Sequence, residues 1–248
     1  MLTRCVSRRI TLCCRQQDKG GNTYENEKKK YLDERLDACG NVNLGWLVDY
    51  AAEQRGETQQ RTLDVREIFG NDNPVHLEVG CGKGGFAVEA ARRNPDINFI
   101  AVEMARNVIV SAMELAVKEN LPNLKFLMGK AEYLEKFFPE NSVERIYLNF
   151  SCPYPKETYK KHRLTHPVFL EIYKHILIPG GEIHQKTDNM KLFEFSIENL
   201  SQCGFKLKNV SLDLHNSGFE GNIVTEYEKR FSEQGFPIYR LEAVNPTK

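Results

Sequence analysis

From Val75 onwards, short apolar runs alternate with amphipathic stretches along the chain. The apolar runs predict strands near 75–79, 97–103, 124–129, 143–149, 181–187, 206–214 and 237–243. The amphipathic stretches predict helices near 84–93, 107–119, 131–137, 167–176, 190–202 and 225–233. This alternation is typical of β-α units on a parallel sheet. We therefore expect an α/β fold with a seven-stranded, mostly parallel sheet, helices on both faces, and ligands at the carboxyl ends of the strands.

The chain before this pattern has a different composition. Residues 1–17 contain four arginines and no acidic residue, and Lys28–Lys30 continue the basic character. We expect residues 1–66 to form a basic N-terminal extension, partly helical or disordered, and residues 67–248 to form the catalytic domain. The first 17 residues suit either a basic arm or an organellar transit peptide, and the sequence leaves both open.

Bulk composition excludes several classes of protein. Among the 248 residues 41% are apolar, which is enough for a full core and argues against general disorder. No stretch reaches the ~20 apolar residues of a membrane helix, and the N-terminus lacks a secretory h-region, so we expect a cytoplasmic protein. Seven cysteines form no CxxC pair, which argues against a zinc site. Because the formal net charge is zero, a polyanion would have to bind local basic clusters.

A glycine-rich loop follows the first predicted strand. Gly80, Gly82 and Gly85 let the backbone turn tightly and expose N–H groups where a helix begins. The same glycines satisfy the GxGxxG pattern of dinucleotide-binding enzymes, so an NAD oxidoreductase is an alternative. Glu78, inside the strand, would repel a pyrophosphate but suits the sulfonium and ammonium groups of S-adenosylmethionine. The absence of a separable second domain also favours the methyl donor.

Two further strand ends provide donor-binding candidates. Glu103 ends the second strand about 20 residues after the loop, where a carboxylate can accept both hydroxyls of a ribose. Lys130 and Ala131 follow the third strand, where their backbone could contact the edge of an adenine.

Four motifs carry a resemblance to a known family. Residues 149–164 read NFSCPYPKETYKKHRL, residues 77–86 read LEVGCGKGGF, residues 183–189 read IHQKTDN, and residues 221–231 read GNIVTEYEKRF. In this order they resemble the bacterial tRNA (guanine-N7)-methyltransferases, whose usual first string is NFSDPWPKKRHxKRRL. The resemblance spans about residues 67–244. It implies a Rossmann-like methyltransferase fold, S-adenosylmethionine as cofactor, tRNA as partner, and methylation of N7 of a guanosine in the variable loop.

The resemblance also implies residue roles. Glu78 and Glu103 would bind the donor. The guanosine would be held by Lys156, Asp188, Thr225, Glu226, Tyr227 and Glu228. Lys156 can meet a phosphate, and Asp188, our main catalytic candidate, can accept hydrogen bonds from guanine N1–H and the exocyclic amine. Helix capping is the alternative for Asp188, because a helical pattern follows it.

Cys152 and Lys130 depart from the family pattern. Cys152 stands where the family has an aspartate with a catalytic or donor-contacting role, and Lys130 stands where an acid is usual. Guanine N7 carries a lone pair and no proton, so its alkylation needs orientation and charge stabilisation but no base. Tyr154 could stack on the base in place of the usual tryptophan. A nucleophilic cysteine, as in cytosine-C5 methyltransferases, and a degenerate Asp/Asn/Ser-Pro-Pro-aromatic box are weaker interpretations of the same string.

A basic segment adjoins this string and completes the prediction. Lys156, Lys160, Lys161 and Arg163 lie within eight positions, which favours contacts with phosphates. Two alternatives remain beside the oxidoreductase: another RNA base methyltransferase, and a tRNA-binding protein that has lost catalysis through Cys152. We expect a monomer or homodimer that needs no other protein subunit.

Overall fold

The computed structural model describes residues 23–45 and 62–246, so the arginine-rich start of the chain lies outside the described residues. The helices are α1 (Thr23–Ala38), α2 (Val65–Phe69), α3 (Gly85–Arg93), α4 (Arg106–Glu119), α5 (Leu134–Phe137), α6 (Pro167–Ile176), α7 (Met190–Gln202) and α8 (Glu226–Ser232). The strands are β1 (Val75–Val79), β2 (Asn98–Glu103), β3 (Leu124–Met128), β4 (Val143–Asn149), β5 (Leu177–Thr187), β6 (Lys206–Ser211) and β7 (Tyr239–Val244). Short 3-10 helices cover Ala131–Tyr133, Glu157–His162 and Leu214–Asn216.

The seven strands form one sheet in the order β3-β2-β1-β4-β5-β7-β6. Neighbours from β3 to β5 are parallel, whereas β7 is antiparallel to both β5 and β6. From β1 the chain builds the sheet in one direction, through β2 and β3, and then returns to add β4 on the other side of β1. The place between β1 and β4 where the direction reverses is the topological switch point, at which doubly wound sheets bind ligands. The predicted fold class is confirmed.

Both faces of the sheet are covered because the central strands are apolar on both sides. On one face, α5, α6 and α7 pack over Leu77, Ile146 and Leu241. On the other face, α3 and α4 pack over Phe99 and Phe126. All five residues of β1 are buried, which fixes the strand that leads into the glycine loop.

The N-terminal part of the described chain packs on the same core. Leu36, Cys39 and Val42 are buried against the α3 and α4 layer. The N–H of Leu44 donates to the carbonyl of Phe126 at 2.8 Å, and the N–H of Phe126 donates to the carbonyl of Val42 at 2.8 Å. These bonds cover the open edge of β3, an edge that proteins usually protect.

Two strand boundaries differ from the prediction by three or more residues. β5 begins at Leu177, four residues early, although its Pro-Gly-Gly sequence indicates a turn. A side chain at position 181 would clash with β4, because a Cβ on Gly181 would lie 2.9 Å from the carbonyl oxygen of Glu144. Glycine therefore lets β5 pack closely against β4 at the point where the register of the two strands shifts. β6 ends at Ser211, because Asn209 takes a left-handed φ of 51° where the register with β7 shifts.

Among the described residues, no helix has the length and apolarity that crossing a membrane requires.

Candidate active site

The glycine loop between β1 and α3 opens onto free space at the switch point. Gly80, Gly82 and Gly84 have φ angles of 82°, 57° and 80°, which favour glycine. A Cβ on Gly80 or Gly82 would meet nothing within 4 Å, so their backbone faces an open cradle. A Cβ on Gly84 would lie 2.7 Å from the Cβ of Ala112, so this glycine serves helix packing. Gly80 and Gly82 therefore border open space, whereas Gly84 packs against a helix.

Glu78 presents a buried carboxylate beside the cradle. Its Oε1 accepts a hydrogen bond from Nδ2 of Asn149 at 2.9 Å, whereas Oε2 is buried without a hydrogen-bond partner. Burial raises the pKa of Glu78 to about 7, against the opposing effects of Asn149 and Lys186. The backbone of Ala87 also favours the ionised carboxyl, and the buried Oε2 is an acceptor that a ligand group could use. A cationic ammonium or a hydroxyl fits this position, and a phosphate does not.

Glu103 braces the same loop from the end of β2. Its Oε2 accepts from the N–H of Gly82 at 3.2 Å, and its Oε1 accepts from the N–H of Ala105 at 2.9 Å. Each oxygen keeps a second lone pair that can accept a hydroxyl. The carboxylate thus both holds the cradle and remains able to bind a diol.

Residues Lys130 and Ala131 lie at the next strand end, where the N–H of Gly129 donates to the carbonyl of Glu103 at 3.2 Å. Ala131 is buried at the start of a 3-10 helix, and the side chain of Lys130 is exposed. Their backbone therefore lies next to the Glu103 strand end.

The loop after β4 has a strained backbone. Phe150 and Tyr154 have φ angles of 51° and 41°, in the left-handed region that bulky residues avoid. Such strain persists only where the surroundings enforce it, commonly at functional sites. Arg163 supplies part of this constraint, because its Nε donates to the carbonyl of Pro153 at 3.0 Å and its Nη2 to the carbonyl of Tyr154 at 3.0 Å.

Arg163 therefore corrects one sequence interpretation. Its side chain is buried and its guanidinium lies 4.6 Å from the centre of the Phe195 ring. It does not belong to the exposed basic cluster, and the prediction that it contacts phosphate is wrong because its donors serve the loop. Lys156, Lys160 and Lys161 are exposed, as a phosphate-binding surface requires.

Asp188 follows β5 directly and is not a helix cap. Asn189 caps α7, because its Oδ1 accepts from the N–H of Leu192 at 2.9 Å. Burial raises the pKa of Asp188, which is half-buried at the strand edge. The capping alternative is thereby removed, and the carboxylate remains available for another role.

The start of α8 brings Tyr227 to the same edge. Its ring lies 5.0 Å from that of Phe150. Burial raises the pKa of Tyr227 to about 12, and the nearby carboxylate of Asp188 raises it further. Asp188 and Cys152 are both near enough to influence the Tyr227 hydroxyl, so groups from three separate motifs lie in one neighbourhood. Of the four cysteines in the described ranges, none forms a disulfide.

The other residues of the TEYE motif divide between surface and interior. Thr225 caps α8, because its Oγ1 accepts from the N–H of Glu228 at 3.0 Å, and Glu226 is exposed. Glu228 is fully buried and bound to Nζ of Lys186 at 2.6 Å and Nδ2 of Asn222 at 2.6 Å. Burial lowers the pKa of Lys186, and Glu228 opposes that shift. Contact between Glu228 and a substrate remains a prediction, since its present partners are protein groups.

A second polar cluster lies on the sheet away from the glycine loop. One oxygen each of Glu182 and Glu242 and a nitrogen of His184 lie within 4.8 Å of one another, a spacing that could hold a metal ion. Lys208 pairs with both carboxylates, and Arg240 pairs with Glu242. Because these cations already neutralise the carboxylates, the cluster is a structural ion network.

Two residues of the site were missed by the sequence analysis as functional groups. Asn149 and Lys186 hold Glu78 and Glu228, respectively. Both lie inside the four family motifs, but their partners are 71 and 42 residues away in the sequence. Only the tertiary fold brings those partners together.

Comparisons with known proteins agree with this geometry. Residues 72–241 match the model of a family described as "Putative methyltransferase". The tRNA (guanine-N(7)-)-methyltransferase of Geobacillus sp. (strain WCH70) is 52% identical over 182 residues, which are 73% of this chain and 83% of that protein. A protein of the same name from Listeria monocytogenes serotype 4b (strain F2365) is 53% identical over 178 residues, covering 72% of this chain and 83% of that protein.

Solved structures share the fold at low sequence identity. The 16S rRNA methyltransferase KamB has a TM-score of 0.55 at 20% identity and covers 77% of this chain and 97% of its own. The aminoglycoside resistance methyltransferase NpmB1 has a TM-score of 0.50 at 18% identity and covers 74% of this chain and 94% of its own. The extent and identity of the sequence matches, together with the site geometry, show that the chain belongs to the tRNA (guanine-N7)-methyltransferase family.

Proposed function

We propose that this protein transfers the methyl group of S-adenosylmethionine to N7 of a guanosine in the variable loop of tRNA. The observation that carries the proposal is the convergence of two half-sites at one strand edge. One half is the open glycine cradle beside the buried Oε2 of Glu78. The other half is the surroundings of Tyr227, whose ring lies 5.0 Å from that of Phe150 and whose hydroxyl is influenced by Asp188 and Cys152.

The first half-site would hold the donor, which supplies an electrophilic methyl group on its sulfonium. Glu78 would accept the ammonium, and Glu103 would accept the ribose hydroxyls with its remaining lone pairs. The backbone at Gly80 and Gly82 would line the cradle. Lys130 and Ala131 would flank the adenine with their backbone. Cys152 would face the donor only as a neutral side chain.

The second half-site would hold the guanosine. Asp188 would accept from guanine N1–H and the exocyclic amine, which orients N7 and places a negative charge beside a base that becomes cationic. Tyr227 would contact the ring, and Thr225 and Glu226 would lie at its rim. Lys156 would meet the phosphate. Since N7 bears no proton, Cys152 has no proton to abstract.

Glu228 and Lys186 would act as positioning residues. Their buried ion pair ties α8 to β5, and β5 ends beside Asp188. Removing one partner of such a pair leaves an uncompensated buried charge, which is strongly destabilising. The pair would therefore keep Tyr227 and Asp188 at a fixed separation.

The proposal includes a cytoplasmic location, where tRNA would be encountered, and assigns the chemistry to residues 67–248. Residues 1–66 would contribute no catalytic group, although Leu36, Cys39 and Val42 pack on the layer formed by α3 and α4. A monomer or a homodimer would satisfy this assignment.

The test is a nucleoside analysis. Purified protein is incubated with methyl-labelled S-adenosylmethionine and unmodified tRNA, and the tRNA is digested to nucleosides. We expect label in 7-methylguanosine alone. Label in another nucleoside would favour a different RNA base methyltransferase. Donor and tRNA binding without transfer would favour a binding protein that has lost catalysis.

A further inference from the structure

A row of aromatic rings leads away from the proposed guanosine site. Phe150 lies 5.0 Å from Tyr227, Tyr227 lies 4.4 Å from Phe231 in a stacked arrangement, and Phe231 lies 6.0 Å from Phe236. We refer to these four rings as the aromatic row. Phe150 belongs to the strained loop, so the row begins at the catalytic edge.

The outer end of the aromatic row is exposed. Tyr227 is 45% and Phe236 is 51% accessible to solvent. The side chains of Lys229 and Arg230 are exposed between these rings in sequence, and the charge of Arg230 acts on the Tyr227 hydroxyl. Nζ of Lys229 lies 3.9 Å from a carboxylate oxygen of Glu233, whereas no salt bridge among the described residues includes Arg230. Aromatic rings interleaved with cations are typical of surfaces that bind single-stranded RNA.

The outer end of the aromatic row is joined to the catalytic edge through β7. Phe236 lies three residues before Tyr239, the first residue of β7, which pairs with Thr187 at the end of β5. Asp188 follows Thr187 directly. The strand pairing thus connects both ends of the row to the edge where the target guanosine would bind.

We propose that Phe236, at the outer end of the aromatic row, stacks on an unpaired base next to the target guanosine, while Arg230 contacts the adjoining phosphate. This inference rests on the proposed function and goes beyond it by naming a site for a second nucleotide. Unpaired bases offer flat faces that aromatic side chains bind with little regard for sequence, and phosphates complement the exposed cations. A protein partner for this surface would use its apolar area but would not need planar rings.

The test uses a fluorescent base. We replace the nucleotide on either side of the target guanosine by 2-aminopurine, in two separate tRNAs, and follow fluorescence on titration with protein. The variants are Phe236→Ala, Phe236→Leu and Phe236→Trp. Leucine keeps the apolar area without a planar ring, and tryptophan keeps the ring. Val117→Ala is the control, because Val117 lies near the C-terminal end of α4, outside the aromatic row, and is 37% exposed.

We expect wild-type protein to quench one of the two tRNAs. Phe236→Ala and Phe236→Leu should lose the quenching and weaken tRNA binding by about 5- to 150-fold. Phe236→Trp and Val117→Ala should behave as wild type. Quenching that persists in Phe236→Ala, or quenching in neither tRNA, overturns the proposal.

Two further readouts separate the possible failures. If Phe236→Leu behaves as wild type while Phe236→Ala changes the sedimentation of the protein alone, the surface is a protein interface and the proposal is wrong. The same preparations are assayed for 7-methylguanosine. If Phe236→Ala still quenches and 7-methylguanosine forms normally, the proposed second-nucleotide site is wrong and the proposed function stands. If wild-type protein forms no 7-methylguanosine, the proposed function is wrong.

Discussion

Asn149 at the end of β4 donates a hydrogen bond to one oxygen of Glu78 in β1 and leaves the other oxygen buried without a partner. This relationship joins the two strands that flank the switch point. It also fixes the orientation of the carboxylate, so that the unpartnered oxygen is the one with lone pairs left for another donor. The amide therefore orients a carboxylate that lies 71 residues earlier in the sequence.

The first prediction concerns pH. Burial raises the pKa of Glu78 to about 7 from 4.5, so the carboxyl is mainly protonated in the ligand-free protein at pH 6. A cationic donor favours the ionised form, so its Kd should fall about tenfold per pH unit as pH rises towards 7 and then level off. Calorimetry in buffers of different ionisation enthalpy should detect one proton released at pH 6.

Glu78→Gln serves as the control for this titration, since it should flatten the pH dependence. Because the folded pKa of Glu78 is raised, the free energy of unfolding of the ligand-free protein should also fall as pH rises from about 4.5 to 7, and less so in the variant. A donor Kd that is independent of pH in the wild type would contradict the assignment.

A second prediction concerns Glu103. Its carboxylate accepts the N–H of Gly82 in the cradle and would accept the ribose hydroxyls, so Glu103→Ala should weaken donor binding by about 1.5–3 kcal/mol, the range for hydrogen bonds to charged groups. Glu103→Gln should lose less, because one amide oxygen can still accept. Calorimetry gives the affinity and circular dichroism checks the fold. Unchanged affinity in a folded Glu103→Ala protein would exclude the ribose assignment.

The third prediction separates two kinds of basic residue. Replacing the exposed Lys156, Lys160 and Lys161 together by alanine should reduce the slope of log affinity against log salt by about 2, because each phosphate contact contributes roughly 0.7–0.9. Arg163→Ala should leave the slope unchanged but lower turnover, since Arg163 holds the strained loop. Lys118→Ala, an exposed lysine on α4, is the matched control. An unaltered slope in the triple variant would show that the cluster does not contact tRNA.

A fourth prediction concerns Cys152, where the chain departs from its family. If N7 alkylation needs neither base nor nucleophile at this position, Cys152→Ser should keep most activity and Cys152→Asp should be tolerated. A cytosine-C5 mechanism requires the opposite, because serine cannot replace a nucleophilic thiolate at neutral pH. Asp188→Ala should be far more damaging. Abolished turnover in Cys152→Ser, or a covalent protein–RNA adduct on a denaturing gel, would refute this interpretation.

Much of the fold could be predicted because short apolar runs alternate with amphipathic stretches along the chain. β1, β2 and β4 were placed within a residue. β1 and β2 are buried along nearly their whole length, whereas β4 combines buried and partly exposed residues. The start of β5 could not be predicted, because Pro-Gly-Gly is a local turn signal and the deciding contact, between Gly181 and Glu144, is tertiary.

In the candidate site, too, residues with a local sequence signal could be predicted and residues decided by tertiary contacts could not. The glycine loop and Asp188 could be located because each follows a predicted strand directly. The partners of Arg163 could not, because a basic residue in a basic run gives no local signal that it is buried. The TEYE motif that contains Glu228 could be recognised in the sequence. Only the tertiary contact with Lys186 shows that the Glu228 carboxylate is buried.

The central claim is that N7 of a tRNA guanosine accepts the methyl group. Its most direct test compares an unmodified tRNA with one whose variable-loop guanosine is replaced by 7-deazaguanosine, in which a C–H group stands where N7 was. The hydrogen-bonding edge that Asp188 would read is unchanged, so both tRNAs should bind alike. We expect methyl transfer to the first tRNA and none to the second. Equal transfer to both would contradict the proposed chemistry.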